Sequence, residues 1–417
     1  MTSYPKVAKI RQSFDRPQVT AIEQVVSEEL DKEAIKCQIK PGASIAITAG
    51  SRGIANIALI IKEVIRQLKE KGANPFIVPA MGSHGGATAE GQVKVLNSLG
   101  ITEEYSGAPI KSSMQTVQIG TTEEDLPVYM DKNAYEADGV IVMGRIKPHT
   151  DFRAIIESGI CKMASIGLGK HDQALALHTL GIHGIRDVMP KAAKVIFDSG
   201  KVLFGIGIVE NAYDETAIIE AIPTKNIFER EAELLQQASQ FMPSLPVKNC
   251  DILFVDEIGK NFSGTGMDTN IIGRIRISGV REPENPQIKY IIVGDVSAPS
   301  HGNALGIGLA DLTTERLLNK INFQAMNENV ITSTFLARAS IPIVLKNDKG
   351  ALEAAMRGNW GVDGQDTRFV RIPNTLEIST LYVSETVFEE IKDDNSIEVL
   401  EPPRDIIFDD KGNFPNF

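Results

Sequence analysis

The chain reads as an α/β protein of two domains with mostly parallel sheets. Three observations predict this: strand-length apolar runs alternate with longer helical patterns, 417 residues exceed what one hydrophobic core comfortably holds, and a proline-bearing break separates two such series.

Taken in order, SIAITAG (44–50) is the first strongly apolar strand. The helical pattern after it places Ile57, Ile60, Ile61, Val64, Ile65 and Leu68 on one face and stops at Lys71-Gly72. NPFIVPA precedes the helical TAEGQVKVLNSLG, DGVIVMGRI precedes a long mixed segment, and KVLFGIGIVE follows it. At MPSLPVKNCD two prolines lie between the helical FEREAELLQQASQF and a new apolar strand, so the division is expected near residue 246, with domains 1–246 and 247–417. The alternation then resumes through CDILFVDEI, KYIIVGDVS and IPIVLK, with one long helix expected through LADLTTERLLNKINFQAM. The tail EPPRDIIFDDKGNFPNF is expected to wrap over the surface.

Composition narrows the function. With 42% hydrophobic and 23% charged residues the chain is a globular protein, and a formal charge of −11 argues against sequence-independent nucleic-acid binding, which needs a basic surface. No apolar run is long enough to span a bilayer and the N-terminus lacks a signal-peptide pattern, so no membrane partner and a cytoplasmic location are expected. Cys37, Cys161 and Cys250 are widely spaced, suggesting neither a disulfide framework nor a cysteine zinc site.

Ligands of open α/β sheets bind beyond the carboxyl ends of the strands. Polar groups recur there: Ser51-Arg52-Gly53, Ser83-His84-Gly85-Gly86, Lys147-Pro148-His149-Thr150, and Lys260-Asn261 before the glycine-rich SGTGMDTN. His84 sits among glycines that permit close approach of a ligand to the backbone. Between 145 and 170, the five basic residues Arg145, Lys147, Arg153, Lys162 and Lys170 outnumber Asp151 and Glu157, which suggests an anionic ligand, the alternative for Arg145 and Lys170 being an ordinary solvated face. Lys162 is flanked by small and apolar residues, a setting that lowers an amine pKa and makes it a nucleophile or attachment point. IGLGKHDQ fails the phosphate-loop pattern, with Ala164 and His171 at required positions, so a nucleotide triphosphatase is rejected. His171, His178 and His183 are candidate metal ligands, and His178, in the apolar run ALALHTLG, is expected to need a partner.

GSHGG, KPHT, the isolated Lys162 and His178 beyond it, with Arg52 in the preceding strand-end loop, resemble the nickel-pincer lactate racemase family. The resemblance implies a two-domain α/β enzyme holding a nickel-pincer nucleotide, a pyridinium mononucleotide with thioamide and thiocarboxylate arms, in an interdomain active-site cleft. It implies a covalent link through Lys162, nickel ligation by His178, cofactor contacts from Ser83, Gly85 and Gly86, and an acid/base pair of His84 and His149. Arg52 would hold the substrate carboxylate, and Lys260 would contribute from the second domain. The partners implied are a small 2-hydroxy acid and the enzymes that build the cofactor, without which the protein is expected to be made empty.

The implied reaction is racemisation or epimerisation by reversible hydride transfer, which avoids removing a weakly acidic Cα proton and leaves the protein to supply bases and orientation. AGSR, HGG and SGIC stand where lactate racemases have an acidic, threonine-containing loop, an Arg-Pro and a Gly-Gly-Arg run, so a larger or sugar-derived 2-hydroxy acid is expected. Two other readings remain at this level. One is a zinc or manganese lyase or hydrolase built on His149, His171, His178 and His183. The other is a non-catalytic protein binding carboxylate or phosphate through glycine-rich strand ends.

Overall fold

The structure is a computed structural model and describes residues 3–417. In chain order its strands are β1 (Val7–Gln12), β2 (Ser44–Ala49), β3 (Asn74–Pro79), β4 (Thr116–Thr121), β5 (Pro127–Asp131), β6 (Gly139–Arg145), β7 (Val202–Glu210), β8 (Thr216–Pro223), β9 (Asn249–Ile258), β10 (Gln287–Val296), β11 (Leu312–Thr314), β12 (Ile343–Leu345), β13 (Phe369–Ile372), β14 (Thr380–Ser384) and β15 (Ile397–Arg404). The chain forms two compact units, Asp15–Met242 and Pro243–Phe417, the latter joined by the residues up to Phe14.

In the first unit the sheet order is β3-β2-β6-β7-β8, parallel except for the β7/β8 pair. Helices cover both faces, which is why these strands are apolar throughout rather than alternating. One face packs Ile60, Ile61, Val64 and Leu68 of helix Ile57–Glu70 with Val26 and Leu30 of helix Ile22–Asp31. The other packs Ala192 and Ile196 of helix Met189–Asp198 with Leu234 of helix Ile227–Phe241. The chain leaves β2 for β3 on one side and later takes β6 on the other, so the topology switches direction between β2 and β6. In open sheets of this kind such a switch point, beyond the carboxyl ends of the strands, is where ligands bind.

The second unit has an eight-stranded sheet, β12-β11-β10-β9-β13-β14-β1-β15, parallel from β12 to β13 and antiparallel beyond. It has its own switch between β9 and β13. The edge strand β15 carries Pro402 and Pro403, tolerable where one side of the strand makes no ladder bonds.

Two expectations are corrected. The residues up to Phe14 do not belong with the N-terminal domain expected at 1–246: β1 pairs antiparallel with β14 and β15, and its Ala8 and Ile10 are buried in the second unit's core. The long helix through LADLTTERLLNKINFQAM is instead β11, a short helix Glu315–Leu318 and helix Phe323–Ser333. Thr314 and Asn322 explain the breaks: each accepts from a backbone N–H three residues on, Leu317 at 3.2 Å and Ala325 at 3.0 Å, starting a new helix. The tail does wrap over its own unit, with Phe414 N donating to Asp348 at 2.9 Å and Arg371 donating to Pro415 O at 2.7 Å. Among the described residues no helix is long and apolar enough to cross a membrane.

Candidate active site

The loops after β2, β3 and β6 carry Arg52, His84 and His149, and the segment Ile160–Lys162 carries Lys162. That segment fits against the switch point because Gly144, near the end of β6, has no side chain: a Cβ there would lie 2.9 Å from both the Gly159 carbonyl carbon and Met163 Cγ. Its start is held by buried Glu231, whose carboxylate accepts the Cys161 N–H at 2.9 Å. Burial pushes the Glu231 carboxyl up to about 7, against the lowering effect of the hydrogen bonds from Cys161.

The His84 loop turns through Gly82, Gly85 and Gly86, all with positive φ. Gly85 admits no side chain, since a Cβ would sit 2.6 Å from Gln92 N. Buried Gln92 anchors the loop by donating to Gly82 O at 2.9 Å and His84 O at 3.3 Å, and accepts from Lys170 Nζ at 3.1 Å. Ser51 Oγ lies 2.5 Å from His84 Nδ1.

His149 is part of a closed loop. Lys147 N donates to Ser158 O at 3.0 Å, and buried Glu157 accepts from the backbone N–H groups of His149 at 2.5 Å and Ala154 at 2.9 Å. The imidazole stacks on buried Phe152 at 4.5 Å and its Nε2 lies 2.9 Å from Lys162 Nζ.

Electrostatics bind these groups into one neighbourhood. Desolvation, opposed by Asp151 and reinforced by Arg52, brings the Lys162 amine down to about 8. His84 keeps an exposed outer edge, yet desolvation of its ring, then Arg52, Lys162 and His178, all lower its basicity. His178 is lowered by desolvation and by Lys162, with Asp151 opposing. Lys162 therefore links the set: its charge acts on His84 and His178, Arg52 and Asp151 act on it, and His149 touches it directly.

Other expected residues have different surroundings. His178 is exposed on helix Lys170–Thr179 and not enclosed in apolar packing as its neighbours in sequence suggested. His171 is exposed at the start of the same helix, and His183 Nδ1 pairs with Asp187 at 2.9 Å. The basic run is partly structural: Arg145 pairs with Glu210 at 2.5 Å, and Lys170 is fully buried, 3.0 Å from buried Asp131. Neither reading of Lys170 given above holds, because its side chain turns inward to Asp131 while His171 and Asp172 beside it stay exposed. Ser83 and Gly86 lie on the exposed side of the His84 turn, and a Cβ on Gly86 would meet open space. Lys260 follows β9 in the second unit, its backbone N–H on Ser300 Oγ at 2.9 Å and its Nζ on Gly264 O at 2.5 Å. Phe152, Glu157 and Glu231 support the site without having been singled out by any motif.

Residues 6–186 match the family model described as the lactate racemase N-terminal domain. No curated protein matches the chain. Among solved structures, the lactate racemase apoprotein from Thermoanaerobacterium thermosaccharolyticum superposes with a TM-score of 0.54 at 14% identity, over 89% of this chain and 98% of the other, a likeness of fold. The matched span contains Arg52, His84, His149, Lys162 and His178, so it is in this N-terminal part that the chain is similar to lactate racemases.

Proposed function

We propose that the protein is a racemase or epimerase of a 2-hydroxy acid that works with a nickel-pincer nucleotide. The observation that carries this reading is the 2.9 Å approach of the His149 Nε2 to the Lys162 amine, with His84 near enough for the Lys162 charge to lower its basicity. An invertible hydroxy acid needs a proton acceptor and donor for either enantiomer, and imidazole, which both accepts and donates a proton, meets that need at two positions.

The residues fit such a cofactor. Lys162 is an amine that loses its charge easily, His178 offers an imidazole nitrogen whose protonation is disfavoured, and Gly86 in the His84 turn leaves backbone open to a ligand. Among the described residues no three His, Cys, Asp or Glu side chains group so as to hold a metal. A lyase or hydrolase centre built on His149, His171, His178 and His183 would require such a group. A metal held mainly by a bound cofactor requires one protein nitrogen.

When bound, the cofactor supplies the hydride acceptor. Arg52, exposed beside His84, binds the substrate carboxylate and orients Cα. His84 takes the hydroxyl proton of one enantiomer and His149 that of the other, and on return each supplies the proton it holds. Ser83, Gly85 and Gly86 line the cofactor side. Lys260 is the residue we assign, on the resemblance alone, to a carboxylate or sugar oxygen of the substrate. Ser51 replaces an acidic environment before the arginine, favouring a larger or sugar-derived 2-hydroxy acid over lactate. A cytoplasmic setting accords with three free cysteines.

The test uses protein produced together with cofactor-building enzymes and 2-hydroxy acids deuterated at Cα. Nickel bound in proportion to protein, with the label retained on the inverted product, is expected. Loss of label to water would remove the hydride route, and nickel-loaded protein inert toward a panel of lactate-like and sugar-derived acids would remove the racemase reading.

A further inference from the structure

His149 is held at both ring nitrogens. Nδ1 accepts the backbone N–H of Asp151 at 3.1 Å, and Nε2 lies 2.9 Å from Lys162 Nζ. A ring nitrogen that accepts a hydrogen bond carries no proton, so the neutral imidazole keeps its proton on Nε2. Nε2–H can meet the amine only by donating to a nitrogen lone pair, so Lys162 is uncharged in this arrangement. Desolvation of the amine and the nearby guanidinium of Arg52 act in the same direction, with Asp151 opposing.

The same arrangement has a consequence for His149. With its proton on Nε2, the ring presents no lone pair on the side of Lys162 and cannot take a proton there. The alternative tautomer must give up the Asp151 N–H at Nδ1, and the same residue offers the replacement: Asp151 Oδ2 stands 3.7 Å from Nδ1, close enough that a small movement gives an Nδ1–H a charged acceptor in place of that donor. Phe152, stacked on the ring, and Glu157, holding its backbone N–H, keep the imidazole in place during such a change.

We propose that Lys162 and His149 form a loading switch, in which acylation of the lysine amine removes the acceptor of the His149 Nε2–H and lets the ring carry its proton on Nδ1, with the Nε2 lone pair turned to the substrate. In the acylation the Nζ lone pair forms the bond to the acyl carbon. The bond from that carbon to its leaving group breaks with its electrons, and the proton shed by nitrogen departs with that group, as water when the donor is a thiocarboxylic acid that leaves a thioamide. The resulting amide or thioamide nitrogen has its lone pair delocalised and only donates. It cannot hold His149 in the resting tautomer. The inference rests on the reading that Lys162 is the attachment point, and it makes base availability a result of cofactor attachment.

The test needs no cofactor. Full-length protein labelled with 15N-histidine is treated with the N-hydroxysuccinimide ester of acetic acid, Lys162 acetylation is followed by peptide mass, and the tautomer of His149 is read from its two-bond 1H–15N correlations, assigned with His149→Gln. Untreated protein at a pH above the Lys162 transition should show His149 protonated on Nε2. Acetylation at Lys162 should move the proton to Nδ1, and unreacted Lys162→Met should show the same pattern. An unchanged tautomer in acetylated protein overturns the switch even if the methionine variant fails to fold, and so does failure of Lys162 to acetylate ahead of exposed lysines. Retained Cα label in nickel-loaded protein alongside an unchanged tautomer would leave the racemase reading intact without the switch. A working switch in a protein that turns over no hydroxy acid would have the opposite meaning.

Discussion

Ser51 Oγ lies 2.5 Å from His84 Nδ1, joining the loop after β2 to the loop after its neighbour β3. A hydroxyl in this position either donates to Nδ1 or accepts an Nδ1–H, and in the second case it leaves the Nε2 lone pair for a proton from substrate, the positioning role we propose for Ser51. Ser51→Ala is expected to lower kcat by about tenfold, with KM little changed. Ser51→Thr, which keeps the hydroxyl, should restore it. An alanine variant with full kcat would leave Ser51 no part in the reaction.

Arg52 acts on His84 through charge. After desolvation it is the largest influence holding the His84 imidazole below its ordinary value of 6.5, and a cation disfavours a second positive charge. Removing it must therefore raise the His84 pKa. Proton NMR titration of Arg52→Met against the parent protein should show the His84 resonances titrating at higher pH, with the acid limb of kcat/KM in the loaded parent enzyme lying below pH 6.5. Coincident titration curves would contradict this coupling.

Lys162 should differ from other lysines in the pH at which it becomes reactive. With its amine at about 8 instead of 10.5, its labelling rate should reach half its maximum near the lower value. The sign also fixes a stability trend. A lysine with a depressed folded pKa binds fewer protons folded than unfolded between those two values, so this group makes stability rise as pH increases through that window. Competitive labelling with peptide mapping checks the first statement, and a half-rise near that of surface lysines would refute it.

Lys170 and Asp131 form a fully buried pair at 3.0 Å, and Lys170 also donates to Pro79 O and to Gln92, which holds the His84 loop. Lys170→Met strands a buried carboxylate and is expected to cost about 3–5 kcal/mol of unfolding free energy. The double variant Lys170→Met with Asp131→Asn, which removes the stranded charge, should recover much of that loss. Urea denaturation measures both, and a single variant as stable as the parent would mean the pair contributes nothing.

Much of this arrangement was legible in the residues. The apolar runs at 44–50, 74–80 and 138–146 form β2, β3 and β6, because strands covered on both faces need no alternation. GSHGG and KPHT stood out because polar groups at the ends of such strands have few structural duties. Three things were not legible. β1 carries an ordinary amphipathic pattern, and only pairing across the whole chain length assigns it to the other unit. Lys170 resembled its charged neighbours, since nothing local reveals that Asp131 waits inside the fold. His178 looked enclosed because it follows leucines, yet helical periodicity turns Leu177 inward and His178 outward.

The position of β1 bears on how the protein is made. Its partners β14 and β15 lie far later in the sequence, so β1 must wait for the strands of the second unit to be synthesised before it can settle. Residues 15–242 can complete their own sheet meanwhile, and a bulky insertion just before β1 would burden the late-closing sheet rather than the unit that holds Lys162.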